Sequence, residues 1–247
     1  MLRCTRLALL TLTLFAATSV AQPAPALDLP RPSPKGSVTQ NVGTTEISVS
    51  YSSPTVKGRK IWGEVVPLDQ VWRAGANDCT KVTFSTPVSI EGKPVPAGAY
   101  CIFLLPAKSG WTFILSKNSE QGGTDYKQSE DALRVPATAS TIPLRERLAY
   151  AILDFDDEKG TLAMEWETQR VAVKFTTGTR DRVLAQIRKL KENWNNVWTR
   201  AQLLHAAGKN SEALAAAQRA QTLGKAVPKD EFFAADDVAK ALVSWKK

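Results

Sequence analysis

The sequence predicts a mainly β protein: an antiparallel β-sandwich or jelly-roll over residues 37–177, with an α-helical appendage over residues 178–247. Short runs with period-two apolar alternation recur between turn signals, and no helical segment separates them. At Thr177-Gly178-Thr179 the apolar spacing changes to threes and fours and stays so to the last residue given. Size sets the third bound: 247 residues, 43% hydrophobic and 23% charged, bury one good core and a small addition.

The elements follow in chain order. Residues 1–21 read as a signal peptide: Arg3 and Arg6, an apolar run over Leu7 to Ala17 too short to span a bilayer, and the small-residue site Ser19-Val20-Ala21. Cleavage near Ala21 makes the expected location periplasmic or secreted, with no transmembrane segment in the mature chain. The competing reading is an uncleaved anchor. Cys4 lies at the basic end, on the wrong side of the apolar run for a lipoprotein. Residues 22–36, "QPAPALDLPRPSPKG", hold five prolines and read as a linker or loosely docked arm.

In "TEISVSYS" Ile47, Val49 and Tyr51 share one face, and "KVTFS", "AYCIFLL", "WTFILSK", "ALRVPATA", "RLAYAILDF", "TLAMEWE" and "VAVKFTT" follow as further strands. Glu91-Gly92-Lys93-Pro94, Lys108-Ser109-Gly110 and Asp157-Glu158-Lys159-Gly160 supply turns at hairpin spacing, which favours antiparallel pairing over a parallel sheet. Beyond Thr179, taken as N-cap, the stripe Val183, Ile187, Leu190, Trp194, Val197, Ala201 and Leu204 predicts one helix ending at Gly208. A second helix starts from Asn210 as cap, and a third carries Phe233, Val238, Leu242 and Trp245 on one side. The segment "AQLLHAAGKNSEALAAAQRA" resembles one tetratricopeptide unit. A single unit builds no solenoid groove, so the expectation is a helical hairpin docked on the β unit, with recognition of an envelope protein as its alternative use.

Charge and cysteines restrict the partners. Removing residues 1–21 takes away two arginines and no acids, so the net charge falls from +8 to +6. The basic residues are interspersed with Asp and Glu and form no basic block, so no nucleic acid partner is expected. Cys79 and Cys101 each open a predicted strand. In an oxidising compartment they read as a structural disulfide, with two buried thiols as the alternative.

Several chemistries fall away. With one histidine, His205, a Ser/His/Asp triad would have to recruit it from the appendage, and a His-rich metal site cannot form. No glycine-rich phosphate loop is present. Asp154, Asp156, Glu158 and Glu165 have the offsets of some calcium-loop ligands, but Lys159 stands where such a loop needs glycine and the flanks read as strands, so a solvated turn is expected. No metal and no cofactor are expected.

The stretch "VKGRKIWGEVVPLDQVWRAGANDCTKVTFS" has no regular period and reads as an ordered loop over one end of the sandwich. Arg59 and Arg73 offer planar forks for carboxylate or phosphate, Trp62 and Trp72 offer faces for stacking, and Asn77 offers both donor and acceptor. On the scaffold reading, Trp72 caps the core, Arg73 pairs with Asp69 or Glu64, and Asn77 forms an Asx turn.

The run from Ser33 to Pro106 resembles the bacterial exported proteins grouped as the domain of unknown function numbered 2911. The resemblance rests on Ser-Pro-x-x-x-Val-x-Gln from Ser33, Lys57-Gly58-Arg59, Trp72-Arg73-x-Gly75-Ala76-Asn77, Pro96-Ala97-Gly98-x-Tyr100 and "GWTFILSKN" ending at Asn118. It covers residues 33 to about 176 and implies a β-rich exported domain. It implies no activity, substrate or catalytic residue. Where many relatives have a smaller or acidic residue after Asn77, this chain has Asp78 followed by Cys79, which fits a local disulfide variation.

The leading expectation is non-catalytic binding of a small anionic or saccharide ligand, or of an envelope partner, through Arg59, Trp72, Arg73 and Asn77. The alternatives are a hydrolase or lyase with Asp78 or Glu64 as base beside Arg73, and an interaction protein acting through its helices. The catalytic reading requires a buried carboxylate in a deep pocket.

Overall fold

A computed structural model describes residues 29–119 and 125–246. The chain divides into two units, residues 1–31 and 32–247, and every described strand and helix belongs to the second. The expected signal peptide, Cys4 and residues 22–28 of the Pro-rich segment lie outside the described residues.

The chain is mainly β with a helical appendage, as its period change predicts. Nine antiparallel strands are described: β1 (Lys35–Val42), β2 (Thr45–Ser52), β3 (Thr80–Phe84), β4 (Val88–Ile90), β5 (Lys93–Val95), β6 (Gly98–Ala107), β7 (Gly110–Ser116), β8 (Asp131–Leu153) and β9 (Lys159–Thr176). Their order is β1-β2-β3-β6-β7-β8-β9-β4-β5. Apart from the β4–β5 hairpin, which is carried to the far edge, each strand pairs with its neighbour in sequence. This is a folded meander rather than the crossed order of a jelly-roll.

The sheet bends so that its two halves enclose one core. Tyr51 on β2 and Tyr150 on β8 are four strands apart in the order, yet their ring centroids are 5.2 Å apart. The chain beyond β2 bridges to β8 at Thr55 and Arg147. One apolar cluster accordingly takes Ile47 and Val49 from β2, Val82 and Phe84 from β3, Ile102 and Leu104 from β6, and Val171, Val173 and Phe175 from β9.

Two pairs of strands expected separately are single long ones. "ALRVPATA" and "RLAYAILDF" join in β8, and "TLAMEWE" and "VAVKFTT" join in β9, with register shifts between Thr141 and Arg145 and between Arg145 and Ala149 absorbing the bend. Glu165 holds this region from within. It is 7% exposed and accepts from Arg145 Nη1 at 3.0 Å and Arg170 Nε at 2.7 Å. Nearby, Asp156 Oδ1 accepts from the Glu158 and Lys159 amides at 2.8 and 2.9 Å, so this part of the acidic run is a turn.

β6 is covered on both faces. Tyr100, Ile102 and Leu104 enter the main core, while Cys101 and Phe103 join Ile114 in a small cluster on the other side, flanked by Cys79 and Tyr126. Cys79 and Cys101 form a disulfide with a Cα–Cα distance of 5.7 Å.

The helical stripe does not form one helix. It breaks into α1 (Thr179–Ile187) and α2 (Trp194–Ala206), followed by α3 (Asn210–Gly224) and α4 (Ala235–Ser244). Asn193 restarts the helix: its side chain accepts from the Asn196 amide at 2.8 Å, and Asn196 returns a bond to the Asn193 amide. Gly178, not Thr179, precedes α1, and Lys209, not Asn210, precedes α3. Trp194, Val197, Ala201, Leu204, Ala217 and Val238 form a second core that shares no residue with the first. Polar contacts join α1 to the β unit. Arg182 donates to the Thr177 carbonyl and, at 3.1 and 2.8 Å, to the Thr44 and Thr45 hydroxyls. Among the described residues, no helix is long and apolar enough to cross a membrane.

Candidate functional site

The irregular stretch after β2 forms one wall of a cleft of about 460 Å³. Arg59, Trp72 and Arg73 all line it, and Lys57, Thr55 and Trp166 complete its functional surface. Three of the four expected residues are therefore together. Asn77 is not among the lining residues: it is exposed, and its Nδ2 donates to the Ser33 carbonyl at 3.4 Å.

Local geometry explains how Arg73 is held. Trp72 pairs with Leu104 of β6 through two backbone hydrogen bonds of 2.8 Å. Two residues on, the Ala74 carbonyl accepts from the Tyr150 hydroxyl at 2.9 Å and from Thr80 Oγ1 at 3.0 Å. Arg73 thus sits between two fixed backbone points. Gly75 allows the close approach on which the second depends, because a Cβ there would lie 2.7 Å from Thr80 Oγ1 and 3.4 Å from the Ser52 carbonyl. The Tyr150 hydroxyl is a committed donor, since burial pushes its pKa far above the usual phenol range.

Left-handed backbone at non-glycine residues gathers here: Lys57 at φ 48°, Ala74 at φ 53° and Asn77 at φ 58°. Such conformations are uncommon and concentrate where the surrounding structure enforces a functional geometry.

The cleft joins two kinds of surface. Lys57, Arg59 and Arg73 are cationic, and no carboxylate or carboxamide side chain is among the described lining residues. Arg59 turns part of its guanidinium inward, donating through Nε to the Val56 carbonyl at 3.1 Å and through Nη2 to the Thr55 carbonyl. Arg73 is half-buried, and among the described residues none hydrogen-bonds or ion-pairs with its guanidinium. The expected scaffold partner Glu64 pairs instead with Lys60 at 3.2 Å.

The other surface is indole. Trp72 and Trp166 lie near-parallel at 20° with centroids 5.8 Å apart, and both line the cleft. Trp62 meets them edge-on at 5.9 and 5.8 Å and touches Trp111 at 5.0 Å. Trp62 does not line the cleft; it braces the rings that do. Its Nε1 donates to Glu167 Oε2 at 3.1 Å. Burial pushes the Glu167 carboxyl up, but the bonds from Thr168 and Trp62 outweigh it, and the pKa lies below the usual glutamate range. Trp72 serves both expected roles, packing on the main core and lining the cleft.

The carboxylates considered for catalysis lie elsewhere. Asp78 and Glu64 are exposed and neither lines the cleft. Among the described residues, no group of three or more His, Cys, Asp or Glu side chains is placed to hold a metal.

A family model described as protein of unknown function (DUF2911) matches residues 33–175, more than half of the chain. The chain belongs to this family. No curated protein and no solved structure matches it. The DUF2911 region contains every described lining residue of the cleft but Pro32, whereas the helices follow it. Two marks of the DUF2911 resemblance, Lys57-Gly58-Arg59 and the run from Trp72 to Asn77, fall on the cleft wall. Lys57 was visible in that first mark and missed as a site residue. Trp166 had no local signal: it alternates with Leu162 and Met164 as an ordinary core position, and only the bend of the sheet brings it to the cleft.

Proposed function

We propose that this protein binds a small anionic ligand in the Lys57/Arg59/Arg73 cleft and performs no chemistry on it. The observation that carries this reading is the half-buried Arg73, held between two backbone anchors, with no hydrogen-bond or ion-pair partner for its guanidinium among the described residues and no acidic side chain among the described lining residues of the cleft. A buried or half-buried cation is normally paired, and a planar fork selects oxyanions. Neutral sugar fits less well, because it offers no negative charge to the three cations that line the cleft. Carboxylate catalysis at Asp78 or Glu64 draws no support from their exposed positions. Export to an oxidising compartment belongs to the same proposal, supported by the signal-like residues 1–21 and the Cys79–Cys101 disulfide.

The test is calorimetric titration and thermal shift with inorganic phosphate on wild type, Arg73→Ala and Arg59→Ala. Phosphate is expected to raise the wild-type Tm and to bind Arg73→Ala at least about tenfold more weakly, in keeping with a charged hydrogen bond. Equal binding by the folded Arg73→Ala variant, or no binding by wild type, would overturn the proposal.

A further inference from the structure

We infer that the ligand is a phosphate monoester carried on a flat apolar ring, an inference that rests on the anion-binding reading and names its ligand class. The lining supplies two complementary surfaces in one space. Three cations with no acid among them favour a doubly charged group over a single carboxylate. The half-buried indole of Trp72, backed by the near-parallel Trp166, favours a flat body, since aromatic and guanidinium planes both stack on such rings.

Size supports the same choice. A cleft of about 460 Å³ lies within the range that holds small organic molecules, about 300–1,000 Å³. A bare oxyanion would leave most of it filled with water against indole.

The rigidity of the wall makes the site selective by shape. Trp62 is fixed by Glu167 and holds Trp72 and Trp166 edge-on, so the indole surface cannot readily reshape itself around a puckered ring. Flatness is therefore a requirement separate from charge.

The experiment titrates the whole protein with phenyl phosphate, cyclohexyl phosphate, inorganic phosphate and phenol, on wild type, Arg73→Ala and Trp72→Leu. Phenyl phosphate is expected to bind wild type about tenfold or more tighter than either cyclohexyl phosphate or inorganic phosphate, as one aromatic stack permits, and phenol is expected not to bind. Trp72→Leu should weaken phenyl phosphate by a larger factor than it weakens inorganic phosphate, bringing the two ligands close together. If phenyl, cyclohexyl and inorganic phosphate bind wild type equally, the ring inference fails while anion binding stands. If none of the phosphates binds, both fail. The wild-type ligand series decides the matter even where Trp72→Leu does not fold.

Discussion

The Ala74 carbonyl shows how a single backbone atom helps to place the neighbouring Arg73 in the cleft wall. Its two donors, Tyr150 and Thr80, come from different parts of the sheet, and Gly75 must lack a side chain for Thr80 to reach it. Gly75→Ala should therefore destabilise by about 1–3 kcal/mol through overpacking against a Thr80 that is fully buried. Thr80→Ala removes the clashing oxygen, so the double variant should lose less than the sum of the two singles by about 1 kcal/mol in urea unfolding. Strict additivity would mean that the glycine is there for another reason. Glu167 makes a second residue-scale prediction. Its folded pKa is depressed, so the ionised carboxylate stabilises the fold fully above its unfolded value of about 4.3, and that stability is lost as pH falls through the lower folded value. Glu167→Gln keeps an oxygen for Trp62 but cannot titrate. Wild type should lose more unfolding free energy than this variant between neutral pH and pH 3, with tryptophan emission as the probe. Equal losses would remove Glu167 as the cause.

At the scale of elements, legibility followed locality. Period-two alternation marks β2 and β3, which bury one apolar face, while β6 and β7 read as continuous apolar runs because both their faces are covered. β4 and β5 are three residues each, too short to display a period, and were absorbed into a turn signal. The join within β8 was hidden because residues 138–147 are mostly exposed and carry no apolar stripe. The helical stripe continued through Leu190, which is 58% exposed, so periodicity alone could not show the break that the Asn193 cap creates. For the site, Arg59, Trp72 and Arg73 were readable because they lie in one stretch, whereas Trp166 depended on a pairing across the sheet. The disulfide was readable from the spacing of the two cysteines and the expectation of export, and it gives a prediction at this scale. It ties the segment entering β3 to β6 across 22 residues, a loop whose closure is worth about 3 kcal/mol. Reduction should lower the wild-type Tm toward that of a Cys79→Ala/Cys101→Ala variant and leave the variant's own Tm unmoved. A reductant effect of the same size on both would assign the loss to something other than this bond.

Across the whole molecule, the β core and the helical core share no residue, and hydrogen bonds centred on Arg182 and Thr179, rather than apolar burial, join α1 to the strands. Such a junction transmits little cooperativity, because each bond contributes only about 0.5–1.5 kcal/mol net, while each core unfolds as a unit. The seven tryptophans make the two cores separately visible: Trp62, Trp72, Trp111 and Trp166 belong to the β unit, and Trp194, Trp198 and Trp245 to the helices. A chain ending at Arg188 keeps α1 and the Arg182 contacts and removes the other helices. It should retain the near-ultraviolet signal of the four clustered indoles, bind phosphate as the full chain does, and unfold in one transition where the full chain shows two. If the shortened chain fails to fold, or keeps its fold and loses phosphate binding, the helices support the cleft directly, and the DUF2911 region of this chain does not function on its own.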